Sequence, residues 1–234
     1  MIRPENRRPW VPKTAELTLT AGLAAIYVIT TYLPLSKFIG GPGFITVEIV
    51  MLPIIAALLR PLLASAAVFA GSLIAALGQS SFTFVFGPLG LLIPLIAVAA
   101  GSIAFHYRLG PVVSWVYVLF GAVYYVALSQ GGTLFWLVPY FLVIVSLPVT
   151  FRIRDNPHIG LLSFYTAMAE QVTLNILSIS YLGFTGAFWL GVTPLMYAER
   201  TLASIGGAAG IVALKSGLGN RLDLMDQSPR EVRP

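Results

Sequence analysis

The sequence contains no cysteine, little histidine and few charged residues. Without cysteine the chain cannot form a disulfide, use thiol chemistry or offer thiolate ligands to a metal. Charged residues make up only 10% of its 234 residues, whereas a soluble domain carries about 25%. The two histidines, His106 and His158, each lie near a loop arginine rather than in the middle of an apolar run. These shortages disfavour a soluble domain, a disulfide scaffold and a histidine-based metal or catalytic site.

Motifs for phosphate binding and nucleophilic catalysis are absent as well. The net charge of +5 is spread singly over loops and termini, without the basic stripe that nucleic-acid binding requires. The chain has neither a phosphate-binding loop with its lysine nor a G-x-S-x-G motif. We therefore expect no nucleic-acid partner, no catalytic residue, no cofactor and no metal. An ATP-driven pump built on this chain would need a separate ATPase subunit.

Apolar residues, by contrast, are abundant. They make up 57% of the chain, and the mean hydropathy is +0.86. This composition predicts an all-α, polytopic transmembrane helical bundle in the lipid bilayer of the cell membrane. The membrane domain spans residues 14–215, between a polar N-terminal segment (1–13) and a polar C-terminal tail (216–234), both expected in the cytoplasm.

The apolar runs divide into eight segments, and six helices would result if two adjacent pairs merged. The segments are Thr14–Leu35, Thr46–Leu59, Leu62–Leu77, Leu89–Tyr107, Val112–Leu128, Leu134–Phe151, Ile159–Leu182 and Ala187–Leu214. We therefore expect six to eight helices. The second and third segments are near or below the roughly 17 residues that a membrane span needs.

Loop charges predict the orientation of the bundle. If the N-terminus lies in the cytoplasm and the segments alternate, twelve of the 14 Lys and Arg residues fall on the inner side. Lys37 alone falls outside, and Arg200 lies within a segment. This asymmetry satisfies the positive-inside rule, so we expect an even number of spans with both termini in the cytoplasm.

Ionisable and amide groups occur at membrane depth in the last two segments. One cluster runs from Tyr197 to Thr201 and contains Glu199 and Arg200; the other contains Glu170, Gln171 and Asn175. A charge in lipid costs at least about 2.5 kcal/mol unless it is paired or faces a cavity. Counting about 1.5 Å of rise per residue from the inner helix ends places both clusters at similar depth. Because a short loop joins these segments, we expect a Glu170–Arg200 ion pair.

Two interpretations of the clusters stay open from the residues alone. In one, the ion pair is a purely structural clamp between two helices. In the other, the clusters form the polar wall of a substrate cavity, because more polar groups are present than one pair requires. Gln171 and Asn175 are four apart and share a helix face. Glu48, near the outer end of the second segment, either hydrogen-bonds a ligand or lies at the outer interface or a helix N-terminus.

Small-residue, glycine-rich and aromatic motifs follow one another in a distinctive order. In chain order they are Ala21-x-x-x-Ala25, Gly40-Gly41-Pro42-Gly43, Arg60-Pro61, Phe86-Gly87-Pro88-Leu89-Gly90 and Thr193-Pro194-Leu195 before Glu199-Arg200. Over residues 14–108 and 187–215 this order resembles the substrate-binding membrane subunit (S-component) of the energy-coupling factor (ECF) transporters, which take up vitamins and related micronutrients. The family usually has six helices, and here residues 112–151 would form an extra hairpin that keeps the number even.

The resemblance implies a binding protein rather than an enzyme. It implies that Ala21 and Ala25 contact a transmembrane coupling subunit, which works with ATPase subunits. It also implies a pocket near the outer face for a vitamin-like small molecule. The residues implied as polar contacts to this substrate are Glu170, Gln171, Asn175, Glu199 and Arg200, with Glu48 as a further candidate. The residues implied as packing against the substrate are Tyr197, Trp189 and Phe84.

Two other classes of function are alternatives. In the first, the chain is a structural or assembly subunit of a larger membrane complex. That class predicts polar clusters that are dry, fully paired and remote from any cavity. In the second, the chain is a membrane-embedded enzyme that uses Glu170 or Glu199 as a base. The shortage of histidine, cysteine and metal ligands makes this class the least favoured.

Overall fold

A computed structural model describes residues 14–37, 44–78 and 83–218 of the chain. Helices make up most of this part, which confirms the predicted all-α class. Within it, eight helices are longer than ten residues, and each corresponds to one of the eight apolar segments. The helices are α1 (Thr14–Thr31), α2 (Glu48–Leu58), α3 (Pro61–Leu77), the single-turn α4 (Thr83–Phe86), α5 (Leu92–His106), α6 (Gly110–Leu128), α7 (Val138–Thr150), α8 (Asp155–Ser180) and α9 (Ala187–Leu218).

A short β-hairpin follows α1 where the sequence predicted a continuous segment to Leu35. Helix α1 ends at Thr31, and strand β1 (Pro34–Lys37) pairs antiparallel with β2 (Phe44–Thr46). Pro34 has no amide hydrogen and disfavours helix in the residue before it, so α1 cannot continue through this position. Hydropathy alone therefore placed the end of the first segment too late. The glycine-rich turn expected at residues 40–43 lies outside the described residues.

Helix α8 forms the centre of the bundle. It contacts α2, α5, α6, α7 and α9, and every residue from Tyr165 to Asn175 is buried. A helix buried on all sides has no solvent-exposed face to receive polar side chains. The polar groups of α8 must therefore find their partners within α8 itself or on the surrounding helices.

Helix α5 approaches α8 closely at Gly101. A Cβ atom at this position would lie 2.3 Å from Thr166 Oγ1 of α8, which is well inside van der Waals contact. Gly121 of α6 faces Val172 in the same way, with 2.6 Å between the added Cβ and a methyl group. The missing side chains let α5 and α6 pack tightly against the middle of α8.

The small-residue stripes noted in the sequence divide into packed and exposed ones. Helix α9 packs against α2 through Gly206, Gly207 and Gly210. The motif of α1 is not packed. Ala21, Gly22 and Ala25 are all exposed, and a Cβ atom at Gly22 would meet no other atom within 4 Å. The α1 stripe is therefore free to contact something outside this chain.

Large apolar side chains cover the outside of the bundle. Leu62, Leu77 and Leu134 leave 74%, 88% and 78% of their surface exposed. In the described part, three helices are long and apolar enough to cross a membrane: Thr14–Thr31, Gly110–Leu128, and α5 with the turn before it, Gly87–His106. The apolar helices α2, α3 and α7 are shorter. Helix α2 has 11 residues and is almost entirely buried.

Candidate functional site

The two polar clusters meet because α8 and α9 are antiparallel neighbours. Helix α8 ends at Ser180 and α9 begins at Ala187. In the turn between them, Gly183 and Gly186 have φ angles of +67° and +57°, which glycine adopts without strain. This reversal, expected from the short loop, brings the middle of α9 beside the middle of α8.

The predicted ion pair between Glu170 and Arg200 is confirmed. Arg200 Nη1 lies 2.6 Å from Glu170 Oε2, and the two side chains are only 1% and 0% exposed. The same Nη1 donates to the backbone carbonyl of Ala167 at 3.0 Å. A buried charge that loses its partner costs about 3–5 kcal/mol. The ion pair therefore resists sliding of α9 along α8, because such a movement would separate the two charges.

Glu199, the neighbour of Arg200 on α9, bonds to the hairpin. Its Oε1 accepts a hydrogen bond of 2.5 Å from Ser36 Oγ of β1, and its Oε2 lies 4.0 Å from Arg200 Nη2. Successive residues of a helix are rotated by about 100° around its axis. Glu199 therefore projects in a different direction from Arg200. We call the buried polar groups at this level the polar layer: Glu48, Glu170, Gln171, Asn175, Glu199 and Arg200. The hairpin covers the side of this layer where Glu199 lies.

The two amides of α8 form a hydrogen-bonded chain. Gln171 Nε2 donates to Asn175 Oδ1 at 3.2 Å, which confirms that the two residues share a helix face. Asn175 Nδ2 donates in turn to the hydroxyl of Tyr140 in α7 at 2.5 Å. Tyr140 thereby links α7 to the polar groups of α8.

Glu48 is the third buried carboxyl group of the layer. It is the first residue of α2 and is 1% exposed, so the interpretation that it reaches the outer interface is wrong. Its Oε2 has no hydrogen-bond partner, and its carboxyl interacts electrostatically with Glu170. Its place at the start of α2 agrees with the alternative interpretation, a carboxylate at a helix N-terminus.

Several buried polar atoms of the described residues have no hydrogen-bond partner. In or beside this layer they are Glu48 Oε2, Glu170 Oε1, Gln171 Oε1, Arg200 Nε and Nη2, and Trp136 Nε1. More than about 90% of buried polar groups in folded proteins are paired. A closed structural clamp would satisfy its own groups. Of these atoms, Gln171 Oε1 and Trp136 Nε1 belong to residues that line an adjoining cavity, where a bound molecule can pair with them.

A cavity of about 50 Å³ lies beside the layer, between α8, α9, the hairpin and the 3-10 turn Leu134–Leu137. This volume has room for a few water molecules. Its polar lining comes from Gln171, Asn175, Ser178 and Glu199. Its remaining lining is apolar or aromatic, so the cavity combines a few polar groups with a large apolar surface.

Three aromatic rings form one wall of this cavity. The ring centroids of Trp136 and Trp189 are 4.9 Å apart at an angle of 63°. Phe188 meets Trp189 edge to face, at 5.4 Å and 85°. Aromatic rings prefer this tilted arrangement because the positive ring edge meets the negative ring face. These ring–ring contacts therefore hold the three aromatic side chains in place.

Four of the residues expected at a substrate site line the cavity together: Gln171, Asn175, Trp189 and Glu199. Glu48, Glu170 and Arg200 belong to the adjoining polar layer and do not line it. The sequence therefore predicted the level of the bundle at which these polar groups meet. It did not separate the residues that face the cavity from those that support them.

The other two expected packing residues, Tyr197 and Phe84, differ in what the structure describes of them. Tyr197 is partly exposed and donates its hydroxyl hydrogen to the backbone carbonyl of Phe135, so it does not line the cavity as the resemblance implied. Phe84 belongs to α4, but its side chain lies outside the described part of the structure.

Sequence reasoning missed Trp136, Phe188, Tyr140 and Ser36. Aromatic residues near the ends of apolar segments are common at membrane interfaces, so the two rings carried no distinguishing signal. Tyr140 lies in an apolar segment without any other ionisable group. Ser36 was missed because the hairpin that carries it was not predicted.

Among the described residues, no group of three His, Asp or Glu side chains is arranged to hold a metal ion. The groups that make up the polar layer and its adjoining cavity are carboxyl, guanidinium, amide and aromatic side chains. Comparison of the chain with protein-family models, curated proteins and solved structures finds no match.

Proposed function

We propose that this chain is the substrate-binding membrane subunit of a transporter that takes up a vitamin-like micronutrient. It works with a separate transmembrane coupling subunit and ATPase subunits, as the S-components of ECF transporters do. The cavity beside Gln171, Asn175 and Glu199 carries the proposal, because it joins free hydrogen-bonding capacity to an aromatic wall. Small-molecule sites typically have this mixture of an apolar lining and a few well-placed polar groups, in pockets of about 300–1,000 Å³. The cavity of about 50 Å³ must therefore widen when the substrate enters.

The distribution of polarity supports a multi-pass protein of the cell membrane. The charged residues Glu170, Glu199 and Arg200 are buried, while large apolar residues such as Leu77 and Leu134 are exposed. Charged groups in membrane proteins face the bundle interior in this way. With the termini in the cytoplasm, as the positive-inside rule predicts, the hairpin and the cavity lie toward the outer face.

The unpaired atoms favour substrate binding over a purely structural role. An assembly subunit predicts a dry, fully paired cluster that is remote from any cavity. Here Glu199 lines a cavity, and Gln171 Oε1 has no partner. An enzymatic role has less support, because His106 and His158 lie at the ends of α5 and α8 rather than in the polar layer.

The exposed small residues of α1 support a helical partner. Helices associate in lipid through small residues that let their backbones approach closely. The glycines of α9 are already used against α2, whereas Ala21, Gly22 and Ala25 of α1 are exposed. In the proposed mechanism the substrate binds beneath the hairpin. The whole subunit then moves against the coupling subunit, which it contacts through Ala21 and Ala25.

Mass spectrometry of small molecules released from the purified protein tests this function. We expect a micronutrient-sized compound to co-purify, and calorimetry then gives its affinity. Asn175→Ala should lower this affinity by about tenfold, the equivalent of one hydrogen bond. Val123→Ala on the exposed face of α6 is the matched control and should change nothing.

A folding defect in Asn175→Ala is distinguished by its melting temperature and by a second variant, Ser178→Ala, which removes another polar group of the cavity. Unchanged affinity in both variants, with wild-type melting temperatures, excludes this cavity as the site. If no compound co-purifies and no micronutrient binds to the folded protein, the transport function itself is excluded.

A further inference from the structure

The buried layer contains more acidic than basic groups. Among the described residues, the buried acidic and basic side chains are Glu48, Glu170, Glu199 and Arg200. Arg200 forms its close pair with Glu170 at 2.6 Å, whereas Glu199 lies 4.0 Å from the guanidinium. The layer therefore contains one basic group, the Arg200 guanidinium, for three carboxyl groups. Burying ionised carboxyl groups without a cation is unfavourable, so such a layer is stabilised either by protonation of a carboxyl group or by additional positive charge.

The cavity is placed to receive such a charge next to Glu199. Glu199 is the carboxyl group in its lining, and no basic residue of the described chain lines it. Gln171, which is 2% exposed and also lines the cavity, has an unpartnered Oε1. Both groups present oxygen acceptors, so this side of the cavity suits a hydrogen-bond donor or a cation. The unpartnered Nε1–H of Trp136 adds a donor elsewhere in the lining.

The aromatic part of the lining suits an organic cation in particular. The faces of tryptophan and phenylalanine rings attract cationic nitrogen, and tryptophan does so most strongly. Trp136, Phe188 and Trp189 contribute three such rings to the lining. A hard metal cation such as Ca²⁺ or Mg²⁺ would instead need a shell of six or more oxygen ligands, which this largely apolar cavity lacks.

We propose that the ligand of this cavity carries a cationic nitrogen, either a protonated amine or a quaternary ammonium, bound between Glu199 and the tryptophan wall. This inference rests on the proposed binding function and specifies the chemical class of its substrate. Glu199 contacts the positive charge, Gln171 accepts a hydrogen bond from the ligand, and the rings enclose its apolar carbon atoms.

Matched pairs of probes that differ only in charge test the proposal on the wild-type protein. One pair is choline and its neutral isostere 3,3-dimethylbutan-1-ol; the other is benzylamine, which is cationic at pH 7, and benzyl alcohol. Binding is measured by calorimetry in detergent at constant ionic strength. We expect at least one cation to bind tenfold or more tightly than its neutral counterpart. Equal binding within both pairs, or binding of neither cation, overturns the proposal.

Variants then locate the preference for charge. Glu199→Gln keeps the shape of the side chain and its capacity to bond Ser36 but removes the charge, so the tenfold preference should disappear. Glu16→Gln is the matched control, because Glu16 lies near Arg60 of the α2–α3 turn and away from the cavity. Trp189→Leu should lower the affinity for the cationic probe more than the affinity for its neutral counterpart. A preference that survives in folded Glu199→Gln protein overturns the proposal.

The outcomes separate this inference from the proposed function. If the compound that co-purifies is neutral or anionic and loses affinity in Asn175→Ala, the binding function stands and the cationic ligand is excluded. If the cationic probes bind through Glu199 but the protein supports no uptake in cells, the ligand class stands and the transport function fails.

Discussion

At the scale of single residues, Arg200 organises the buried layer. It pairs with Glu170, donates to the carbonyl of Ala167 and lies 4.0 Å from Glu199. A guanidinium presents five N–H donors in a planar fork, more than one carboxylate can accept. Arg200 therefore holds one carboxyl group tightly, while its charge still acts on the neighbouring carboxyl group that lines the cavity.

The buried pair should respond more strongly to losing one partner than to losing both. Arg200→Met leaves Glu170 buried without a cation and should lower the free energy of unfolding by about 3–5 kcal/mol. The double variant Glu170→Gln/Arg200→Met removes both charges and should be more stable than Arg200→Met alone. Chemical unfolding in detergent, arranged as a double-mutant cycle, measures the coupling.

The partly exposed pair of Arg60 and Glu16, 3.9 Å apart, provides the control for this cycle. Arg60→Met should change stability by less than about 1 kcal/mol, because exposed ion pairs contribute little. Strictly additive losses for Glu170 and Arg200 would show that the buried pair contributes no specific coupling.

At the scale of elements, α8 controls the arrangement of the bundle. Polar groups on several of its sides meet α9, α7 and α6: Glu170 meets Arg200, Asn175 meets Tyr140, and Thr173 bonds the hydroxyl of Tyr117 at 2.8 Å. These contacts require the neighbouring helices to come close, and Gly101 and Gly121 permit it. The hairpin adds a further contact to the layer from outside the helices, through Ser36 and Glu199.

A methyl group at Gly101 should disturb this packing. In Gly101→Ala the new Cβ lies 2.3 Å from Thr166 Oγ1 of α8, so α5 must shift, at a cost of about 1–3 kcal/mol. Gly22→Ala is the matched control. Its Cβ meets no atom within 4 Å, and alanine favours helix over glycine by about 0.5–1 kcal/mol. Melting temperatures in detergent should therefore move in opposite directions. A drop of equal size in both variants would contradict the close approach of α5 and α8.

At the scale of the whole molecule, the protein buries charge and exposes apolar side chains. The exposed surface includes large apolar side chains on most helices. On α1 it also includes the small residues Ala21, Gly22 and Ala25. Such small residues contribute little apolar area to a lipid contact. They are suited to another helix that approaches closely, which is the role proposed for the coupling subunit.

Bulky residues on the exposed face of α1 should separate binding from transport. Ala21→Phe/Ala25→Phe keeps the cavity intact, so affinity for the co-purifying compound should stay within twofold of wild type. Uptake into cells that contain the coupling and ATPase subunits should fall at least tenfold, because the partner helix can no longer approach. Val123→Phe/Val126→Phe enlarges an equally exposed face of α6 and should leave uptake unchanged. Equal losses in both double variants would exclude a specific role for α1.

The sequence by itself determined the helical class, the approximate extent of eight helices and the level at which charged residues meet. These properties depend on composition, apolar run length and rise per residue, which are local and additive along the chain. Even the Glu170–Arg200 pair followed from counting residues on two consecutive antiparallel helices. The local pattern was misleading near Pro34. The apolar run continues to Leu35, but α1 ends at Thr31 because proline interrupts a helix.

Only the tertiary structure decided which side chains face the cavity. Glu199 and Arg200 are adjacent in sequence, yet the rotation between successive helical residues sends one to the cavity and the hairpin and the other to the ion pair. Ser36 and Glu199 are 163 positions apart, and no local pattern relates residues at that distance. Whether a small-residue stripe is packed or exposed likewise depends on which helices surround it. Hydropathy records how apolar a helix is, whereas its neighbours determine what each of its faces contacts.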